Sequence, residues 1–539
     1  MADTPPLFFS SFSAFLDWHR ARIEPVERDA AVAWWDASTL ATPQNEARAA
    51  ETQKAQTRLY SDRAAFAYLR DLDTAPLTPD ERRQHRLLYL RFAGNQMEDA
   101  VIEELVDTER RIETRYNTHR PLFDGKPSGE NALREILRTS DDSLTRRHAW
   151  EATKEIGPLV RDDVLHLVAL RNAEARKQGY ANYYEMALAL QEQEVESVFA
   201  LLNDLAAQTE PLFRDYKARL DDQLRRRFRT ETLYPWHFFD PFFQEAPPGD
   251  IDFDRFYQGK NLETLTATFF ERIGLDVSDL LSRSDLYERA DKSEHAFCLH
   301  VGRFEDVRVL CNCTDTERWM GTMLHEFGHA VYDRYLGDDL PFFLREVSHT
   351  LTTEAVAQWM GRLSKNAAFL TEFVGVSPEE AADVAAAGQR QIGEFLLIFV
   401  RWVLVMAHFE RAMYENPARD LNRLWWQLVE TFQGVTPPPD RNAPDWAAKL
   451  HLALAPVYYH NYLLGEMMAS QVLEYVRTAV LGNSGDTERS LVTSPLVGDY
   501  FRRSVFAPGA RLRWDELIRS ATGEPLQPGY FVRHLKSAT

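Results

Sequence analysis

Thr314-Asp315-Thr316-Glu317-Arg318-Trp319-Met320-Gly321-Thr322-Met323-Leu324-His325-Glu326-Phe327-Gly328-His329-Ala330-Val331-Tyr332-Asp333-Arg334-Tyr335-Leu336-Gly337 is the stretch on which the reading of this chain turns. His325 and His329 stand four residues apart, so on a helix both imidazoles leave the same face and can hold one metal ion. Glu326 lies on an adjoining edge of that face, within reach of a water activated by the metal. The surroundings predict a helix. Thr314 and Glu317 read as a capping box, with Thr314 as N-cap and Glu317 at the third helical position. The run from Trp319 to Leu336 has no proline, and Gly337 is placed to end it. Trp319, Met320, Met323, Leu324, Phe327, Ala330 and Val331 recur at helical spacing, which predicts a wide buried face. Two histidines and a glutamate on such a face need a partner such as a metal. The pattern is that of a metallopeptidase.

A third protein ligand would leave a zinc ion one open position, as catalysis requires. Glu354 follows the motif by 25 residues and sits in a second predicted helix, from Thr350 to Met360, among apolar neighbours. From spacing alone, Glu346, Glu317 and Asp338 compete with it.

Composition narrows the class. The 539 residues can bury a large core, as one lobed domain or two. There are 82 acidic against 62 basic residues, a net charge of −20. That field repels nucleic acid and anionic membranes. Arg225-Arg226-Arg227 follows Asp221-Asp222 and reads as a solvated helix face. Met1 to Arg20 lacks a basic leader region and a small-residue cleavage site, so no secretory signal is expected. The apolar run from Phe395 to Phe409 is interrupted by Arg401 and is too short to span a bilayer, so it is read as a core helix. Three cysteines, Cys298, Cys311 and Cys313, are too few for a disulfide scaffold. A protein of the reducing cytoplasm is expected.

Helical periodicity dominates elsewhere, for example from Glu98 to Tyr116, Leu159 to Lys177 and Pro211 to Arg227. Turn chemistry is concentrated at Gln244 to Asp250 and at Gly434 to Asp440. One strand pair is predicted, Ala296 to Val301 and Val307 to Cys313, leading straight into the motif helix. Its edge could pair with an extended peptide. Near the C-terminus, Lys449-Leu450-His451 and Tyr458-Tyr459-His460-Asn461-Tyr462 offer donors for an oxyanion and a cation for a carboxylate, although aromatic residues at this spacing also serve as core.

These segments together resemble the angiotensin-converting-enzyme family of peptidyl-dipeptidases, and nearly as well the thimet-oligopeptidase family. Asp339-Leu340-Pro341, Leu344-Arg345-Glu346 and Glu354-Ala355 are similar to the converting-enzyme segment that carries the third zinc ligand, which favours Glu354. Lys449-x-His451 and Tyr459-x-x-Tyr462 resemble the family's substrate-binding pairs. By that likeness Lys449 and Tyr459 would hold the substrate's terminal carboxylate, and His451 and Tyr462 would steady the carbonyl oxygen. His300 resembles a substrate-binding histidine on the edge strand, with its offset from Cys298 different by one. Trp34-Trp35 and Gln191 to Glu194 resemble the wider group. The chain departs in three places. The spacing from His451 to the tyrosines is one residue longer. Asn461 stands where animal converting enzymes carry a chloride-binding arginine. Gln358 replaces the aspartate expected to support a zinc histidine.

The resemblance implies a mainly α fold, two helical lobes around a deep cleft with a small sheet beside the zinc helix. The division expected is residues 1–250 as an N-terminal helical lobe and 251–539 as the catalytic lobe, intertwined as one peptidase domain. One Zn²⁺ would be held by His325, His329 and Glu354, with Glu326 as general base and short peptides as substrates. Release of C-terminal dipeptides is expected; an endo-acting oligopeptidase is the alternative. A catalytically silent peptide-binding scaffold is the reading from another class, and the complete ligand set argues against it.

Overall fold

A computed structural model of the protein describes residues 8–249, 251–482 and 486–538. Met1 to Leu7 of the N-terminal stretch and Asp250 of the turn-rich segment lie outside them. The fold is mainly α. Among the described residues there are two antiparallel two-stranded sheets and no larger one.

The helices follow the periodicity of the sequence, with differences at their ends. Asp99–Thr118 and Ile156–Lys177 form as expected. The helix expected to begin at Pro211 instead runs from Val195 to Phe228, with Pro211 inside it. Proline in a helix interior costs about 3 kcal/mol. Here one apolar stripe, Val198, Phe199, Leu202 and Leu205 continuing into Phe213, Tyr216, Leu220 and Leu224, is buried along the whole length. Burying such side chains yields about 1.5–3 kcal/mol each, so the stripe outweighs the proline.

The apolar run around Arg401 lies in the helix Pro378–Glu415. By length and composition this helix could cross a membrane, but 72% of its apolar window is buried inside the protein. Arg401 is buried too, and its Nη2 donates to Thr209 Oγ1 at 2.9 Å. These are the marks of a core helix.

Packing divides the chain into two compact units. One comprises Met1–Gln96, Ile251–Gly388 and Leu464–Phe531; the other comprises Met97–Asp250, Gln389–Leu463 and Val532–Thr539. A single cut at 250/251 therefore does not describe the organisation, because the chain also passes from one unit to the other at 96/97, 388/389, 463/464 and 531/532.

In the first unit, the helix Phe12–Thr39 contributes Phe12, Phe15 and Ile23 to a core shared with Tyr60, Leu69, Leu88, Phe92, Phe342 and Phe343. Trp34 and Trp35 of that helix pack on Phe297, with ring centroids 4.2 and 6.1 Å away. Phe297 opens the hairpin Phe297–Val301 and Asp306–Leu310, in which Cys298 faces Val309 and His300 faces Val307. Gly302 at φ +75° and Arg303 at φ +66° make its turn, a conformation that glycine supplies without strain. The second strand ends before the expected Cys313. Cys311 lies beyond it, and all three cysteines are free.

In the second unit the core is built on large rings. Trp402 meets Trp425 edge-on at 5.9 Å, and Phe409 packs on Trp446 at 5.5 Å.

Candidate active site

The motif helix runs Glu317–Arg334. Its N-cap is Thr316, not Thr314, and the Thr316 side chain accepts from the Trp319 amide. Thr314 instead accepts the Thr316 amide through its carbonyl, at 2.8 Å, so the chain turns once more before the helix begins. The second helix spans Thr350–Gly361 and is capped by the His349 side chain.

These two helices lie close together because the motif contains glycine. A Cβ built on Gly328 would stand 2.8 Å from Ala357 Cα, inside van der Waals contact with backbone. Glu354, on the Ala357 helix, is thereby brought over the motif histidines. The imidazoles of His325 and His329 meet edge to face with centroids 4.9 Å apart. One potential ligand atom from each of His325, His329 and Glu354 falls within 4.8 Å of the others. His325 Nε2 is 3.8 Å from Glu354 Oε2.

The electrostatics fit a cation. Burial lowers His325 to about 4 and holds His329 well below the usual imidazole range, so both rings are neutral at physiological pH with a lone pair to offer. Burial, aided by the Glu354 carboxylate, pushes Glu326 up to about 8. Two neutral imidazoles and a carboxylate at this separation are the donor set that suits zinc with one position left open.

His329 Nδ1 is 2.6 Å from Thr353 Oγ1, which leaves Nε2 as the nitrogen that could meet a metal ion. This is the outer-shell contact that fixes a metal-binding histidine's orientation. Gln358 had been the position expected to bear on that function; Thr353, which the sequence did not single out, makes the contact. Its one signal was the hydroxylic run Thr350 to Thr353.

Two of the other candidate ligands, Glu346 and Glu317, are engaged elsewhere, and the third is exposed. Glu346 is ion-paired with Arg91 at 2.6 Å and with Arg303, and these guanidiniums hold it down at about 2 despite its burial. Glu317 Oε1 accepts from Ser364 Oγ at 2.6 Å, and its Oε2 lies 3.3 Å from Lys365 Nζ. Asp338 is exposed.

His300 does not present a free ring. Its Nε2 donates to the Phe304 carbonyl at 2.7 Å, and Nδ1 is 3.4 Å from Asp333 Oδ1 on the motif helix. Both nitrogens tie the hairpin together and to that helix, so a contact to substrate would require one of them to be released.

Lys449, His451, Tyr459 and Tyr462 belong to the second unit. Lys449 Nζ donates to Gln244 Oε1 at 3.0 Å and lies among the rings of Phe242, Trp402 and Tyr459, at 5.3–5.5 Å. Burial lowers it to about 8, so it remains largely an ammonium at neutral pH. Tyr459 is buried; its hydroxyl accepts from Trp402 Nε1 at 2.9 Å. Its ring stands 5.0 Å from His451 and 5.5 Å from Tyr462. The four residues thus form one cluster.

Two protein-family models match the chain. Residues 10–236 match the family described as angiotensin-converting enzyme. Residues 281–537, which carry the motif helix, Glu354 and the C-terminal cluster, match peptidase family M3. The chain is a zinc metallopeptidase. Each match spans somewhat less than half of it. Among curated proteins, this metallopeptidase is similar to the mouse angiotensin-converting enzyme-like protein Ace3, 24% identical over 96% of this chain and 74% of the relative. It is also similar to carboxypeptidase 1 of Bacillus subtilis, 24% identical over 51% of this chain and 56% of the relative. Thermostable carboxypeptidase 1 of Pyrococcus furiosus is 22% identical over 46% of this chain and 53% of the relative. The metallopeptidase thus spans only about half the length of the two carboxypeptidases.

Proposed function

We propose that this metallopeptidase removes dipeptides from the free C-termini of short peptides, with one zinc ion held by His325, His329 and Glu354. The grouping of those three donors within 4.8 Å is the observation that carries the metal-dependent chemistry. Zinc held there supplies Lewis acidity, which makes water a nucleophile near neutral pH and polarises the scissile carbonyl. Glu326 takes the proton from the attacking water and delivers it to the leaving amine nitrogen. Tyr462 and His451 donate hydrogen bonds to the carbonyl oxygen as it gains charge, a contribution of the kind that typically lowers a barrier by about 3–4 kcal/mol.

Lys449 supports the dipeptide-releasing reading. A half-buried ammonium among three aromatic rings favours a carboxylate partner, and Tyr459 stands beside it. An endo-acting oligopeptidase is the second reading, favoured by the match of residues 281–537 to peptidase family M3. An internally quenched peptide with a free C-terminus, compared with its C-terminal amide, separates the two. The dipeptide-releasing reading expects cleavage of the acid alone, two residues from its end, and a KM raised at least about tenfold by Lys449→Met. Equal cleavage of acid and amide at internal bonds, indifferent to Lys449→Met, would establish the oligopeptidase instead.

A further inference from the structure

Val457 adopts φ +54°. For a β-branched residue this left-handed conformation is a true outlier, because the branch meets the backbone. Such a residue persists only where its surroundings over-determine it. Val457 immediately precedes Tyr458-Tyr459-His460-Asn461-Tyr462.

Side chains from two distant segments grip it. Glu410, buried on the helix Pro378–Glu415, accepts the Val457 amide on Oε1 at 2.8 Å. Gln191 Nε2 donates to the Val457 carbonyl at 3.1 Å. Both faces of the strained residue are therefore held. The grip extends along the turn. Asn461 Nδ2 donates to Gln191 Oε1 at 2.8 Å, and Gln193 Nε2 donates to Asn461 Oδ1 at 3.0 Å. His460 Nε2 donates to Gln193 Oε1 at 2.6 Å. Gln193, His460 and Asn461 are buried, where an amide chain with its partners in place is stiff and a broken one is costly. Between the two glutamines Glu192 is itself left-handed, at φ +56°, in the short turn that carries both amides.

We propose that Glu410, Gln191 and Gln193 are positioning residues for turnover: they clamp the Val457–Asn461 turn in its left-handed form and so fix Tyr459 between His451 and Tyr462. The catalytic half of this inference rests on the peptidase reading above; the clamp itself does not. Burial pushes Glu410 up to about 8, so at neutral pH it is largely the carboxylic acid, whose carbonyl oxygen still accepts the Val457 amide. Glutamine offers the same acceptor.

The test uses the full-length zinc-loaded protein with Glu410→Leu, Glu410→Gln and the double variant Glu410→Leu/Val457→Gly. Amide hydrogen exchange over residues 457–462 reads the clamp, and kcat and KM on the quenched peptide read its effect. Glu410→Leu is expected to speed exchange in that segment and to lower kcat about 10- to 100-fold with little change in KM, since a small misplacement of catalytic groups can cost that much. Glu410→Gln should resemble the wild type. Adding Val457→Gly should return most of kcat, because glycine takes this φ without steric strain; a merely structural role for Glu410 would give no such second-site recovery. If Glu410→Leu fails to fold, Gln191→Leu carries the same expectations for exchange and kcat.

Unchanged exchange in the leucine variant overturns the clamp. Faster exchange with an unchanged kcat, or a kcat loss that the glycine does not relieve, overturns the positioning role. A wild-type protein that cleaves nothing would instead count against the peptidase reading, while exchange still decides the clamp.

Discussion

Thr353 illustrates what a motif leaves out. His325, Glu326 and His329 were legible because a helix fixes where side chains four residues apart must point. Glu354 was one of four acidic candidates until the family resemblance favoured it. The structure gives each competitor a different environment, with Glu346 between Arg91 and Arg303, Glu317 on Ser364 and Lys365, and Asp338 exposed. Thr353 was invisible because its contact with His329 crosses between two helices, and no local spacing encodes a crossing. Thr353→Val should leave the fold intact and weaken zinc binding about 10- to 100-fold, read by competition with a chromophoric chelator. Affinity equal to the wild type would remove Thr353 from the support of His329. The role expected of His300 is the residue-level reading that fares worst, because the strand position was legible but the occupation of both ring nitrogens was not.

The crossing of the Glu317–Arg334 and Thr350–Gly361 helices is what converts two sequence motifs into one site. Its closest approach is Gly328 on Ala357, where a Cβ would lie 2.8 Å from backbone. Backbone cannot swing aside as a flexible side chain can. Gly328→Ala should therefore destabilise the protein by about 1–3 kcal/mol and also weaken zinc binding, since relief comes by parting the helices that carry Glu354 and the histidines. Thermal denaturation and zinc titration of the variant check this; a stability loss with undiminished zinc affinity would show that the crossing does not set the ligand geometry. Helix existence was readable from periodicity in the segments singled out, such as Asp99–Thr118 and Ile156–Lys177, and boundaries less so. Thr316 rather than Thr314 caps the motif helix, after a local turn closed by the Thr314 carbonyl, and the Val195–Phe228 helix runs through Pro211 because its buried stripe overrides the proline.

The two compact units are each assembled from three stretches of chain, an arrangement that no composition shift announces. The match of residues 10–236 to the converting-enzyme family model likewise covers a half in which short motifs were sparse. One consequence of that packing concerns acid stability. His19 is buried among Phe15, Tyr60, Phe92 and Phe343, and its Nε2 has no hydrogen-bond partner among the described residues. Burial first, then Arg22, Arg91 and Arg303, lower it to about 3 against a weaker opposing effect of Asp62. The unfolded chain, with an ordinary imidazole near 6.5, binds this proton where the folded one does not. Stability from His19 is therefore complete above pH 6.5 and is lost as the pH falls toward 3. His19→Phe should reduce the loss of stability between pH 7.5 and pH 5 by about 2 kcal/mol relative to the wild type, as measured by denaturant unfolding at the two pH values. An identical pH dependence in both proteins would contradict the buried neutral state.

The central claim is metal-dependent hydrolysis with Glu326 as the proton carrier. It is tested most directly by measuring zinc content and turnover of a quenched peptide together, for the wild type and Glu326→Gln. The account predicts one zinc per chain in both proteins, wild-type cleavage that stops with a chelator and returns with zinc, and a loss of at least about 100-fold in kcat for the variant. Wild-type rates in Glu326→Gln, or cleavage that persists without metal, would contradict it.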